Sequence, residues 1–300
     1  VEGAIPKIFS ELDPHSGYIP AADAQMVNEE LEGSFSGIGV SFNLQTDTIL
    51  VISVIPGGPS EKAGLLAGDR IITINNSLFA GNNSSQGKIM KTLRGAKNSV
   101  VKLGIKRSTS QDLLYFNVTR GDVPVNSVDV AYVVREGVGY IKVNKFARTT
   151  YNEFITAIAK LKQQNCKSFI IDLRGNTGGY MDAAINMINE FMANGRLIVY
   201  TEGKAFPRND VYANGTGTCQ DAPIVVLTDE FSGSASEIFA GAIQDNDRGL
   251  IIGRRTYGKG LVQSQIPLSD GSALRLTIAR YYTPSGRCIQ KDYELGKTDE

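Results

Sequence analysis

From residue 138 to residue 282 the chain alternates short apolar runs with segments of helical period. That alternation limits the fold more than any other feature. Residues 138–143, 168–173, 197–200, 223–227, 249–253 and 261–266 read as strands, with 273–282 closing the series. Residues 150–163, 180–192 and 236–245 read as helices between them; the first puts Phe154, Ile158 and Leu161 on one face. Strands separated by helices favour a parallel sheet, and a parallel sheet needs cover. This region is therefore expected to form an α/β layer with much of its sheet buried. The polar, Gly/Asn-rich stretch 204–219 is expected to be a loop.

The chain ahead of this region is organised differently. Residues 1–12 have helical spacing that Asp13-Pro14 ends, and a second helix is expected over 21–31. From Ser36 the period becomes that of strands, at 37–42, 49–55, 69–75, 100–106 and 113–118. Pro56-Gly-Gly-Pro59 is a turn, 60–64 a helical turn, and a helix runs from about Gln86 to Leu93. Gly121-Asp-Val-Pro124 reads as a linker. The expected organisation is a short helical segment (1–34), a small β-rich domain (35–120) and an α/β domain (121–300), so the class is multi-domain, mixed α/β.

Composition excludes some functions. The 31 basic and 31 acidic residues balance, which argues against a nucleic-acid binder that relies on a broad basic face. No apolar run approaches the roughly 18 residues of a membrane-spanning helix. The sequence opens at Val1 with neither a basic nor an apolar leader region, although a leader removed ahead of Val1 would leave no trace. The three cysteines, Cys166, Cys219 and Cys288, lack metal-ligand spacing and are expected to be structural thiols. A Cys219–Cys288 disulfide stays open, because spacing does not reveal Cα separation. No metal or cofactor is expected.

Three elements could carry chemistry. In Thr228-Asp-Glu-Phe-Ser-Gly-Ser-Ala-Ser-Glu-Ile-Phe239, Ser234 lies between a strand and an apolar helix, where a hydroxyl can be exposed as a nucleophile. Ser232 and Ser236 are equal candidates on spacing, and Ser234-Ala-Ser-Glu237 also fits a helix capping box. In Arg255-Thr-Tyr-Gly-Lys-Gly-Leu-Val-Gln263, Lys259 precedes a strand. If that strand is regular, Lys259, Leu261 and Gln263 share a face, and the Gln263 amide could orient the amine. Taken alone, a Gly-Lys-Gly is more often a surface turn. In Ile170-Ile-Asp-Leu-Arg-Gly-Asn-Thr-Gly-Gly179 a buried strand enters a glycine-rich turn whose N–H groups could hold an oxyanion. A serine nucleophile needs a base. The one histidine, His15, is far upstream, so the base is either His15 or a lysine neutralised in an apolar pocket.

The ordered set of Leu12-Asp-Pro-His-Ser-Gly-Tyr18, Ser234-Ala-Ser-Glu-Ile-Phe-Ala-Gly-Ala242, Thr256-Tyr-Gly-Lys-Gly-Leu-Val-Gln263 and Tyr281-Tyr-Thr-Pro-Ser-Gly-Arg-Cys-Ile-Gln290 resembles the carboxyl-terminal processing (tail-specific) peptidases, Ser-Lys serine proteases with a PDZ domain. Cys288 stands where that family more usually has serine. The resemblance implies Ser234 as nucleophile, Lys259 as general base and Gln263 as the residue orienting it. It implies an oxyanion hole from the N–H of Ala235 and of Gly178 or Gly179, and it leaves His15 in a structural motif outside the site. It makes residues 35–120 a PDZ domain, with Gly37-Ile-Gly-Val40 as the loop that captures a C-terminal carboxylate while the peptide adds as a strand. The expected partner is a protein or peptide with a free C-terminus; an oligomer is compatible with it, and the expected location is the periplasm or cell envelope. The competing reading is a peptide-binding scaffold without turnover.

Overall fold

Alternation of β-rich and helical segments yields four sheets and six helices among the residues that the computed structural model describes, namely Phe9, 12–45, 48–81 and 84–292. Most of the expected helix over 1–12, and all but the first two residues of the charged tail 291–300, lie outside them. The chain divides into two units, one of residues 1–33 and 126–300, the other Ser34–Val125.

The larger unit begins with strand β1 (Gly17–Ile19) and helix α1 (Ala21–Glu32). Three residues are too few to show a period, so β1 is invisible in the sequence. It pairs antiparallel with the last strand, and Ile19 buries with Ala24 and Ala273. The first 33 residues therefore belong to the α/β unit.

The smaller unit holds β2 (Ser34–Gly37), β3 (Val40–Gln45), β4 (Thr48–Val54), helix α2 (Pro59–Ala63), β5 (Arg70–Ile74), β6 (Ser77–Leu78), helix α3 (Gln86–Leu93), β7 (Val100–Lys106), β8 (Leu114–Thr119) and β9 (Gly121–Pro124). Its main sheet has the order β3-β4-β5-β7-β8, with β6 on β5, and β3 is an edge strand. Ile49, Val51, Ile71, Ile74, Val101, Leu103, Ile105 and Val118 make its core, closed by Ile89 and Leu93 of α3. Ser85 caps α3 by accepting the Lys88 N–H at 3.3 Å. Gly121–Pro124 is not a free linker. It is β9 and pairs antiparallel with β2, which closes the unit on itself; its Pro124 sits at the strand end, where no ladder donor is lost.

The larger unit continues with β10 (Val130–Arg135), β11 (Val138–Lys142), helix α4 (Thr150–Gln163), β12 (Ser168–Asp172), helix α5 (Met181–Asn189), β13 (Leu197–Glu202), β14 (Asn209–Tyr212), β15 (Ile224–Thr228), helix α6 (Ala235–Asp245), β16 (Leu250–Gly253), β17 (Leu261–Pro267) and β18 (Ala273–Tyr282). One sheet has the order β10-β11-β12-β15-β16. Within it β11, β12, β15 and β16 run parallel, and β10 joins antiparallel at the edge. The other has the order β1-β18-β13-β14, with β17 on β18. Two further strands of this unit escape sequence reasoning. β10 is apolar on its outward positions, Val130, Tyr132 and Val134, so it shows no clean polar alternation. β14 is short and polar, inside the stretch expected to be a loop, and is held by pairing with β13.

The core of this unit packs Ile141, Phe169, Ile171, Ile224 and Val226 of the parallel sheet against Phe154, Ile158 and Leu161 of α4, Ala184 and Met187 of α5, and Ile238 and Phe239 of α6. Phe191 is its hub. Phe154, Phe169 and Phe239 each meet that ring edge-on, with centroids 6.2, 6.3 and 6.5 Å away, a favoured aromatic geometry. Phe191→Ala is expected to destabilise this unit by about 3–5 kcal/mol in urea unfolding, the usual loss for a buried aromatic.

Candidate active site

The site forms where two neighbouring parallel strands end. β12 and β15 are paired, with Asp172 opposite Leu227. The turn after β12 is glycine-rich, and the turn after β15 carries Ser234. Crevices outside the carboxyl ends of such strands are the usual ligand sites of α/β sheets.

The first turn is shaped by Asp172, which is 1% exposed. Its carboxylate accepts from the Arg174 backbone N–H at 2.9 Å, from Arg174 Nη2 at 2.7 Å and from the Tyr140 hydroxyl at 2.6 Å. Burial alone would raise its pKa; the Arg174 and Tyr140 hydrogen bonds outweigh that and bring it down to about 2. Asn176, fully buried, then ties this turn to the next. Its Nδ2 donates to Val143 O at 2.9 Å, and its backbone oxygen accepts from Gly233 N–H at 3.0 Å and Ser236 Oγ at 2.9 Å.

The three serines separate cleanly. Ser232 and Ser236 are fully buried. Ser232 Oγ donates to Leu173 O at 2.9 Å, and Ser236 Oγ is committed to Asn176. Ser234 is partly exposed. It sits at the N-cap of α6, with φ 54° and ψ −112°, and forms a capping box with Glu237. The cap and the nucleophile position thus coincide on one residue. Positive φ at a residue with a Cβ stores about 1–3 kcal/mol of strain, as at other strand-to-helix nucleophile turns.

Glu237 joins Ser234 to Lys259. It is 3% exposed, and its carboxylate accepts three backbone N–H groups: Ser234 at 2.8 Å, Gly258 at 2.7 Å and Lys259 at 2.8 Å. Burial raises its pKa, opposed by the Thr256 hydroxyl and those three donors. Tyr257 N–H adds a bond to Ser232 O at 3.0 Å. The two sequence motifs are therefore neighbours in space.

Lys259 lies before β17 and is partly buried. Burial lowers its pKa, the nearby Arg275 cation lowers it further, and Asp13 pulls the other way. Among the described residues its ammonium has no hydrogen-bond or ion-pair partner, so it does not bond Ser234 Oγ.

Gln263 differs from expectation. A bulge between Val262 and Gln263 breaks the β17–β18 register, so simple alternation from Lys259 does not hold. Its Nε2 donates to the backbone oxygen of His15 at 2.6 Å. His15 therefore reaches the site through its carbonyl. The Asp13 carboxylate holds that segment by accepting the N–H groups of His15 and Ser16, both at 2.9 Å.

The expected oxyanion donors are also distinguished. Gly178 N–H is engaged by Asn176 Oδ1 at 2.9 Å, while those of Gly179 and Ala235 have no acceptor among the described residues. Gly178 and Gly179 have φ of 108° and 140°. A Cβ on Gly178 would lie 2.7 Å from Ser234 Cβ, and one on Gly179 would run into the Phe146 carbonyl oxygen. Only glycine lets this turn back so closely on the serine.

In the smaller unit, Gly37 pairs with Gly121. The Ile38 and Gly39 oxygens accept from Ser60 N–H at 2.9 Å and Ile55 N–H at 3.0 Å. The N–H groups of Ile38 and Gly39 make no hydrogen bond among the described residues, and Val40 opens the edge strand β3. Cys166, Cys219 and Cys288 are all free thiols, the first two buried. Among the described residues no cluster could hold a metal ion, and no helix is long and apolar enough to cross a membrane.

Two melting experiments test this description. Ser234→Gly is expected to be more stable than Ser234→Ala by about 1 kcal/mol, because glycine tolerates the positive φ. Folded Lys259 binds its proton more weakly than the unfolded chain, so this group adds stability as pH rises from its folded value toward the ordinary 10.5. Lys259→Met is expected to remove that slope and to melt higher than wild type at neutral pH.

Both parts of the chain match known families. Residues 137–296 match the family model described as Peptidase family S41, and residues 36–126 match that of a PDZ domain. The carboxy-terminal-processing protease of Bartonella bacilliformis is 37% identical over 97% of this chain and 67% of its own length. Carboxy-terminal processing protease CtpB of Bacillus subtilis is 32% identical over 97% of this chain and 61% of its own. The chain thus spans about three fifths to two thirds of these relatives. The solved photosystem II D1 C-terminal processing protease is 29% identical, with a TM-score of 0.56, covering 96% of this chain and 78% of that one. The chain carries a PDZ domain ahead of a peptidase domain, and it belongs to peptidase family S41.

Proposed function

We propose that the chain is a serine endopeptidase that cleaves proteins near their C-termini, with Ser234 as nucleophile and Lys259 as general base. The observation that carries this is the Glu237 carboxylate holding the N–H groups of both residues. It brings a strained, accessible serine beside a lysine that burial inclines to be neutral.

In this reading the Ser234 hydroxyl turns toward Lys259. The Nζ lone pair takes the proton as Oγ bonds the scissile carbonyl carbon. The negative oxygen is held by the N–H groups of Ala235 and Gly179 at the positive end of α6. The tetrahedral adduct collapses, the Lys259 ammonium gives its proton to the departing amine, and an acyl-enzyme remains. Water then attacks the ester, Lys259 takes its proton, and Ser234 leaves with a proton restored. Gln263 acts through the 13–16 segment, which flanks Lys259, rather than on the amine directly.

The PDZ domain supplies tail recognition. The unengaged N–H groups of Ile38 and Gly39 suit a terminal carboxylate, and the edge of β3 (Val40–Gln45) suits an added peptide strand.

The test is cleavage of a protein with an unstructured C-terminal tail, followed by mass spectrometry. Ser234→Ala and Lys259→Ala are expected to lose at least about 10³-fold in kcat. Amidating the tail is expected to raise KM about tenfold with kcat little changed, since only a charge-assisted binding contact is lost. Wild-type rates in either alanine variant would sink the assignment. A peptide-binding scaffold, the competing reading, predicts tail binding with no turnover at all.

A further inference from the structure

The segment Tyr281-Tyr-Thr-Pro-Ser-Gly-Arg-Cys-Ile-Gln290 plays no part in the chemistry above. β18 ends at Tyr282, and the chain then reverses. Thr283 N–H donates to Arg287 O at 3.0 Å, Gly286 N–H donates to Thr283 O at 2.8 Å, and Cys288 bridges back to Tyr282. Asp245, the last residue of α6, holds this turn. Its carboxylate accepts from Ser285 N–H at 3.1 Å, from Ser285 Oγ at 2.6 Å and from the Arg287 guanidinium. The reversal lays Gln290 and Lys291 along Gly258-Lys259-Gly260 as a strap. Gln290 Oε1 accepts Gly260 N–H at 2.9 Å, and Lys291 N–H donates to Gly258 O at 2.9 Å. The two backbones lie so close that a Cβ on Gly260 would be 2.5 Å from Gln290 N, and one on Gly258 would be 3.0 Å from Lys291 Cβ. Beside them the Lys291 ammonium lies over the Tyr257 ring, 4.5 Å from its centre.

We infer that Gln290 is a positioning residue for Lys259, its strap fixing the backbone from which the amine reaches. The inference rests on the serine-peptidase reading above. The Lys259 ammonium has no hydrogen-bond or ion-pair partner among the described residues, so its place is set by its backbone. Every backbone N–H and C=O of Gly258, Lys259 and Gly260 is engaged. Glu237 accepts the N–H groups of Gly258 and Lys259. Tyr281 takes two carbonyls, its N–H donating to Gly260 O and its phenol to Lys259 O. The strap takes the rest, Gly258 O and Gly260 N–H. Of the two strap contacts only that of Gln290 comes from a side chain. Its Nε2 donates to Lys291 O at 3.1 Å, which keeps Oε1 turned to Gly260. Gly260 is buried, and a buried N–H without an acceptor is costly, so losing Oε1 shifts the backbone next to the base. The strap also refers the base to the nucleophile: α6 has Ser234 at its N-cap and Asp245, which holds the turn, at its other end. Misplacement of reacting groups by about 1 Å can cost about 10²-fold in rate, which sets the scale expected of its loss.

The experiment measures kcat and KM across pH on a peptide with an unstructured C-terminal tail, and the rate constant for fluorophosphonate labelling. The proteins are wild type, Gln290→Met, Gln290→Glu, Gly260→Ala, the Gly260→Ala/Gln290→Met double variant, and Ser234→Ala and Lys259→Ala as controls. Methionine keeps the side chain's length and loses the acceptor; glutamate keeps the acceptor. Gln290→Met is expected to lower kcat and labelling about 10²-fold while KM stays within about twofold. Gln290→Glu, compared on the plateau of its own pH profile, is expected to recover most of that loss. Gly260→Ala forces the strap away and is expected to lose about as much as Gln290→Met, and the double variant no more than either, because the same contact is removed once. A merely structural strap would lower the melting temperature and leave kcat and labelling intact below it. Wild-type kcat and labelling in Gln290→Met, equal losses in Gln290→Met and Gln290→Glu, or losses that multiply in the double variant would overturn the inference and leave the peptidase reading standing. Should Gln290→Met fold poorly, Gly260→Ala takes its place, and wild-type kcat there would overturn the inference as well. Labelling and cleavage undiminished in Ser234→Ala and Lys259→Ala would instead overturn the peptidase reading itself.

Discussion

The candidate site depends on a single buried carboxylate. Glu237 accepts the N–H groups of Ser234, Gly258 and Lys259, and it does so almost wholly out of water. A buried charge is tolerated only when it is hydrogen-bonded or paired, and these three donors have no other partner among the described residues. The carboxylate needs the two segments together, and the two segments need the carboxylate. Each of the other ties, Asn176 to Gly233 and Ser236, and Ser232 to Leu173, repeats the pattern on the β12 side. Two turns at the ends of adjacent strands are thereby clamped, and the serine is held in a backbone conformation it would not choose alone.

Clamping has an electrostatic consequence. The buried surroundings that hold Glu237 also take water from around Lys259 and bias it toward the neutral amine. One act of burial thus pushes the carboxyl pKa up and the amine pKa down. Fully hydrogen-bonded, the carboxylate serves as framework. Lacking any partner among the described residues, the amine is free to take a proton.

Much of this was legible in the sequence, and the omissions have physical causes. The alternation of apolar runs and helices was enough to expect a buried parallel sheet, because long periodic segments bury one face whatever their partners. β1, β10 and β14 were missed because they are too short, too uniformly apolar or too polar to show a period; pairing alone makes them strands. Ser234, Lys259 and the glycine turn could be named from their motifs, yet Ser232 and Ser236 were distinguishable only once their hydroxyls were seen bonded to Leu173 and Asn176. Glu237 read as a helix cap, which it is, but its bonds to Gly258 and Lys259 link segments remote in sequence. The Gln263–His15 contact was hidden for the same reason, and behind a bulge that alternation does not foresee.

The account stands or falls on the protonation of one amine. A 15N NMR titration that observes Lys259 Nζ, assigned through Lys259→Met, measures it directly. The account predicts a Lys259 pKa clearly below the ordinary 10.5, with a substantial neutral fraction at the pH of activity. A value at or above 10.5 would leave Ser234 without a base and would contradict it.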